Sequence, residues 1–303
     1  MILHHYAPSP YSEKIRLMFG YAGVAWESAL SPAMPPRPNL DPMLSGYRKM
    51  PVAQSGADLF CDTRVISAEI AAIASLPALD PATCDEAALG FSAELEGEVF
   101  MACVASIPPG RALKQLVKLF GLIGAFRFIR DRAGISREAA ARPLSPQQAG
   151  EVFDRHLAEL NAYLDGNGPF IGGEAPSHLD FAAYHTFWFH RIVGDLPIPD
   201  GIPAVAAWYQ LMGKFGHGEH REISGEDAFA AARTAEPRGI PEALKQAEQI
   251  GQTVTVAPAD YALDGTTGEL VGADARRWII ARDTELGRLH IHFPTTGFAL
   301  AAG

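Results

Sequence analysis

Four hydroxyls, those of Tyr6, Ser9, Tyr11 and Ser12, fall within seven residues near the N-terminus, interleaved with Pro8 and Pro10. A hydroxyl beside the first turn of a helix can donate to an anion while the unpaired N–H groups of that turn add their dipoles. Serine at positions 9 and 12 leaves no thiol there to form a mixed disulfide, which argues against thiol-disulfide exchange. Further on, Asp62-Thr63 sets a carboxylate and a hydroxyl ahead of an apolar-periodic run, as in a helix N-cap. Cys61, Cys84 and Cys103 are odd in number and lack CxxC spacing, so neither a disulfide framework nor a zinc ribbon is expected. Cys61, on an apolar strand end, reads as a packed small side chain. His4-His5, His217-x-x-His220 and His290-x-His292 each offer two imidazoles, but zinc needs three or four ligands and none has an evident third, so no metal is expected. His290 and His292 share one face of a strand and read as a solvated or interface pair.

The elements that must position these groups follow from pattern. Met1 to Tyr6 reads as a strand, and the prolines of Ala7-Pro8-Ser9-Pro10 keep the next residues out of helix. Ser12 or a neighbour opens a helix whose Ile15, Leu17, Met18 and Ala22 face a core, and Gly23 ends it. Val24 to Leu30 alternates as a second strand, a βαβ start that implies a parallel pair. Five prolines in twelve residues make Ser31 to Pro42 an irregular loop. Met50 to Gln54 and Leu59 to Cys61 read as a hairpin, and Asp62 or Thr63 caps a helix through Val65, Ile66, Ile70 and Ile73.

From Asp85 to about His220 the pattern is helical, with a break at Pro108-Pro109-Gly110. The basic helix from Arg111 to Arg132 carries Leu116, Val117, Leu119, Phe120, Leu122 and Ile123; a membrane-surface helix is one reading, and a core helix with a solvated basic face is the preferred one. Ser177 with Asp180 three residues on is a capping-box-like start to the apolar run Phe181 to Ile192. Beyond Gly239, Thr253 to Val256, Glu269 to Val271, Trp278 to Ala281 and Leu289 to Phe293 are β-prone runs divided by turn signals, read as a small β-barrel or sheet.

Ser9-Pro10-Tyr11-Ser12-x-Lys14-x-Arg16, Lys49-Met50-Pro51-Val52, Asp62-Thr63 before a helix, and Gly172 through Ser177-x-x-Asp180 occur in that order. The ordered set resembles the cytosolic glutathione transferases, specifically serine-type and related bacterial members, over roughly residues 1 to 222. Outside that resemblance, the β-prone pattern gives linker helices and a small β-rich module over 223–303. The resemblance implies a thioredoxin-like α/β domain over 1–79 and an all-helical domain over 80–222.

It further implies that glutathione is bound as a substrate. Ser9 is then the donor to its thiolate, with Ser12, Tyr11 and Tyr6 as alternates. A free thiol titrates near ~8.5, and lowering that by two units takes about 2.7 kcal/mol of thiolate stabilisation. Met50 before Pro51 matches a cis-proline turn that holds the cysteinyl backbone, Asp62 and Thr63 match the receptor for the γ-glutamyl end, and Lys49 approaches the glycyl carboxylate. By resemblance alone, Tyr11, Val99, Phe100, Cys103 and Arg111 would form the second-substrate site. The Pro-rich segment and everything after Gly239 depart from the family pattern.

The 303 residues allow two or three domains, and a hydrophobic fraction of 48% with 20% charged residues fits a globular chain. A net charge of -10 disfavours nucleic acid and anionic membranes, and no run approaches the ~18 apolar residues of a membrane span. The expectation is a cytoplasmic homodimeric detoxification transferase that conjugates glutathione to a small hydrophobic electrophile, or isomerises or reduces one. The alternative is a non-catalytic glutathione-binding protein whose β module docks a partner.

Overall fold

A computed structural model describes residues 1–138 and 144–303. Strand β1 (Ile2–His5) is buried along its length and leads into helix α1 (Pro10–Ala22). Ser9 caps that helix, its Oγ accepting from the Ser12 N–H at 3.1 Å, with Pro10 at the first helical position where a missing N–H costs nothing. Gly23 ends it at φ 64, a left-handed turn that glycine adopts without a Cβ penalty. Strand β2 (Trp26–Leu30) runs parallel to β1, as the βαβ reading requires.

The Pro-rich segment is less irregular than its sequence suggests. It carries a short helix α2 (Asp41–Leu44), and the buried Arg37 ties it down. Arg37 Nε donates to the Asp41 carboxylate at 2.8 Å, and the guanidinium also reaches the carbonyls of Tyr47 and Arg48. Strands β3 (Val52–Ser55) and β4 (Asp58–Cys61) form the expected hairpin, and α3 (Thr63–Ala74) starts at Asp62.

The helical half contains α4 (Glu86–Glu94), a π-helical turn (Leu95–Val99), α5 (Phe100–Ser106), α6 (Pro109–Glu138), α7 (Pro146–Asn167), α8 (His178–Trp188) and α9 (Pro203–Gly213). The Gly172 to Asp180 motif explains itself physically. The buried Asp180 carboxylate accepts N–H groups of Ile171 at 2.7 Å, Gly172 at 3.0 Å and Ser177 at 2.8 Å, and the Trp208 indole at 2.9 Å. Four donors satisfy a carboxylate that burial would otherwise disfavour.

Helix α6 corrects the sequence reading. Its backbone breaks at Gly121 (φ 70), and Leu122, Ile123 and Phe126 are 77%, 78% and 67% exposed, so this stretch is not the core helix expected from its apolar content. No described helix is long and apolar enough to cross a membrane.

The helical range also ends in an unexpected strand, β5 (His220–Ile223), parallel to β2, and helix α10 (Gly225–Arg233) follows. Then come β6 (Thr253–Pro258), β7 (Thr266–Ala273), β8 (Arg277–Thr284), β9 (Gly287–Pro294) and β10 (Phe298–Ala302). These strands do not close a barrel of their own. Parallel pairing of β9 with β4, in the register Asp58–His290, Leu59–Ile291, Phe60–His292, joins them to the N-terminal sheet in one order: β10-β6-β7-β8-β9-β4-β3-β1-β2-β5.

The two faces of β4 divide the core by the strand's period of two. Phe60 packs with Leu3, Ile15, Ile66 and the helical half, whereas Leu59 and Cys61 pack with Met43, Tyr47, Val256, Leu289, Ile291 and Phe293. The appended strands therefore share a core with the Pro-rich segment and the β3–β4 hairpin.

Candidate functional site

A cavity of about 260 Å³ opens where α1, the turn before β3, the start of α3, the π-helical turn and the appended sheet meet. Lys49, Met50 and Pro51 reach it from the turn before β3, with the Met50–Pro51 bond cis. Asp62 and Thr63 reach it from the start of α3, and Tyr11 from α1. Six residues singled out in the sequence thus meet around one space.

Each is held by local chemistry. Asp62 stands at φ 88 as the N-cap of α3, Oδ1 accepting from the Arg64 N–H at 2.9 Å. Thr63 is buried, and its Oγ1 accepts from Lys14 Nζ at 3.2 Å. Lys14 has no exposed surface and forms an ion pair with Glu96, whose other oxygen lies 3.5 Å from Arg64. Burial works to raise the Glu96 carboxyl, but Lys14 and then Arg64 outweigh it and hold the group well below the usual carboxylate range. The Tyr11 hydroxyl donates to the Glu96 carbonyl at 2.7 Å, and burial pushes its ionisation well above the ordinary tyrosine value.

The candidate thiolate donors separate. Tyr11 lines the cavity but its proton is committed to Glu96. Ser9 and Ser12 are buried under the α1 N-terminus and do not line it. Ser9 Oγ accepts from Ser12 N, which leaves its own proton available, while Ser12 Oγ has no partner. Tyr6 is half-buried against the core shared with the appended sheet, away from the cavity lining.

Of the second-substrate residues, Phe100 stacks edge-on against Tyr11 with ring centres 5.2 Å apart. Of the set only Tyr11 lines the cavity; Phe100 stands behind it, and the structure does not bring Val99, Cys103 or Arg111 there either. Val99 is packed in the helical core, and Cys103 points its Sγ at the Thr186 carbonyl, 3.6 Å away, with burial pushing the thiol up to about 12. Arg111 is exposed and donates to the Asp195 carbonyl.

Sequence reasoning missed Tyr47, Arg64, Glu96, Asp260, Tyr261 and Phe298, all on the cavity wall. Arg64 adjoins Asp62-Thr63 and was within reach of a local reading. Glu96 arrives only through the π-helical turn, and Asp260, Tyr261 and Phe298 only through the sheet extension. Lys49 Nζ lies 2.6 Å from Asp260 Oδ1 and 4.2 Å from the centre of the Tyr261 ring.

The histidine pairs are used structurally. His4 meets Gln54 at 2.8 Å, His5 meets Ser28 at 2.9 Å, and His217 meets Glu13 at 3.0 Å. His290 and His292 are buried rather than solvated, and His292 Nε2 lies 2.8 Å from Asp58 Oδ1 across the β4–β9 joint. Among the described residues no group of three or more His, Cys, Asp and Glu side chains is arranged to hold a metal ion. A larger, more open groove of about 560 Å³ lies on the appended sheet beside Leu270, Trp278 and Leu300. Its one charged group, Asp274, already accepts two N–H groups, from Arg276 and Arg277.

Residues 3–78 match the family described as Glutathione S-transferase, N-terminal domain, and residues 132–211 match Glutathione S-transferase, C-terminal domain. A GST-like protein from Pseudomonas syringae is similar at 29% identity and TM-score 0.79, covering 100% of this chain and 98% of its own. A glutathione S-transferase domain-containing protein from Marinobacter aquaeolei VT8 is similar at 14% identity and TM-score 0.50; 70% of this chain spans 97% of that one. The match to the first protein therefore takes in the appended strands, whereas part of this chain lies beyond the match to the second. Among curated proteins none matches the sequence.

Proposed function

Because the chain belongs to the glutathione S-transferase superfamily, we propose that its cavity binds reduced glutathione and favours the thiolate for attack on a small hydrophobic electrophile. The observation that carries this reading is the convergence of Lys49, Met50, Pro51, Asp62 and Thr63, drawn from two separate segments, on one space. The γ-glutamyl amine then meets the Asp62 carboxylate, while its carboxylate meets Thr63 and the N-terminus of α3. Backbone groups of Met50 hold the cysteinyl unit, and Lys49 faces the glycyl end. Tyr11, backed by Phe100, supplies an aromatic wall for the electrophile.

Asp62→Ala and Thr63→Ala are each expected to weaken glutathione binding by about 1.5–3 kcal/mol, the worth of a charge-assisted contact. Titration calorimetry checks this, with melting temperature measured alongside because both residues also start α3. Unchanged affinity in both variants removes the γ-glutamyl assignment.

Ser9 is the proposed donor for the thiolate because it caps α1, where the helix N-terminus adds its dipole to an uncommitted hydroxyl proton. Ser12, whose proton is equally uncommitted, is its nearest rival, and both lie behind the cavity lining. In Ser9→Ala the bound thiol should titrate one to two units higher, cutting the thiolate fraction at neutral pH roughly ten- to hundredfold with little change in affinity. Thiolate absorbance followed against pH reads this directly, with Ser12→Ala, Tyr11→Phe and Tyr6→Phe in parallel. A shift in one of those instead moves the role to that residue. Turnover with an aryl halide beside the binding measurement separates an enzyme from a non-catalytic glutathione-binding protein.

A further inference from the structure

Lys49, the cation that faces the glycyl end of the proposed ligand, is already paired. Asp260, in the connection between β6 and β7, places Oδ1 2.6 Å from Lys49 Nζ and accepts the Tyr261 N–H on the same oxygen at 2.8 Å, which fixes the carboxylate. The rings of Tyr261 and Phe298 flank the ammonium at 4.2 and 5.7 Å. The other cation on the cavity wall, Arg64, is shared between Asp62 at 3.6 Å and Glu96 at 3.5 Å. Among the described lining residues, no cation is left without a carboxylate partner.

We infer that Asp260 is a specificity-determining residue, and that it biases the cavity toward thiol peptides whose carboxyl end is uncharged, as an amide or ester, over those ending in a free carboxylate. This rests on the glutathione reading of the cavity. A free glycyl carboxylate must share one ammonium with Asp260, so its attraction to Lys49 is offset by repulsion from a fixed like charge a few ångströms away. An amide or ester carbonyl accepts one of the ammonium's remaining protons without that repulsion. Its substituent also finds apolar surface. Phe298 borders both this cavity and the open groove of the appended sheet, where Leu270, Trp278 and Leu300 line about 560 Å³. Asp260 is about half exposed, so solvent screens the repulsion and the bias is modest, roughly two- to fivefold.

The test is titration calorimetry on the full chain and its Asp260→Asn variant, with reduced glutathione and with glutathione esterified at the glycine carboxyl by ethanol. Asparagine keeps an oxygen for the Tyr261 N–H, so the connection holds its shape while losing its charge. The native chain is expected to bind the ester more tightly than glutathione. In Asp260→Asn, glutathione should tighten roughly two- to fivefold while the ester moves by less than about 1.5-fold. A native chain that binds glutathione at least as tightly as the ester overturns the inference. So does a variant that weakens glutathione or shifts both ligands equally. Those results would leave the glutathione reading standing; failure of both ligands to bind either protein would remove that reading and the inference with it.

Discussion

A chain ended at Gly239 is expected to lose its cooperative fold and its proposed glutathione site together. The cut removes β9, leaving the β4 edge from Asp58 to Phe60 without its partner. Unpaired strand edges are ready templates for aggregation. It also strips Val254, Val256, Leu270, Leu289, Ile291, Phe293 and Phe298 from the core they share with Leu44, Tyr47, Val52 and Leu59. Each large apolar side chain returned to water costs about 1.5–3 kcal/mol. Uncovering a handful therefore consumes the whole net stability of a domain, about 5–15 kcal/mol. Asp58, 1% exposed in the full chain, would in addition lose its contact with His292 across the joint, keeping only the Arg238 N–H as a partner. Circular dichroism melts, dye binding to exposed apolar surface, and calorimetry with glutathione check the outcome. A soluble 1–239 chain with a sharp melt and native affinity would show instead that the appended strands are the separable unit their sequence suggests.

That contrast marks where the sequence is informative. The βαβ start, the hairpin and the capped helices are legible because their signals are local: the prolines before α1, Gly23 at its left-handed end, Ser177 and Asp180 across one helical turn. The motif residues of the cavity are legible for the same reason, each being tied to a turn or a helix start. The β4–β9 joint has no local signal, since nothing near Asp58 points to a partner 232 positions later at His290. Strand β5 reads His-Arg-Glu-Ile, a charged and mostly exposed edge with weak strand preference, and is a strand because the β2 backbone offers it hydrogen bonds. The contribution of Asp260, Tyr261 and Phe298 to the cavity wall follows from that joint, so it was hidden too. In α6 the apolar count was right but the break at Gly121 was not foreseen, and without it the exposure of Leu122 and Ile123 could not be deduced.

Lys14→Met should destabilise the protein by about 3 kcal/mol and loosen glutathione binding. The lysine is fully enclosed, and the Glu96 side chain it pairs with is only 7% exposed. Removing one member of such a pair leaves the other charge buried, at a cost of about 3–5 kcal/mol. Arg64, 3.5 Å from Glu96, compensates in part, which places the expected loss at the low end. The second effect runs through Thr63, whose Oγ1 accepts from Lys14 at 3.2 Å, so the hydroxyl proposed to meet the γ-glutamyl carboxylate loses its anchor. The pH dependence has a definite sign. Glu96 is held below its ordinary value in the folded chain, so its stabilisation is present above the usual carboxylate range and fades as pH falls through and below that range. In Lys14→Met this share of acid sensitivity should shrink, because the carboxyl no longer gains as much from ionising. Lys14→Met combined with Glu96→Gln should recover part of the loss, since a buried pair exchanged for neutral groups of similar size costs far less than a broken one. Denaturant unfolding of the parent, the single variant and the double variant at neutral and acid pH measures all three effects. A single variant within about 0.5 kcal/mol of the parent, or a double variant no more stable than the single, would mean that Arg64 alone neutralises Glu96 and that Lys14 is dispensable to the cavity floor.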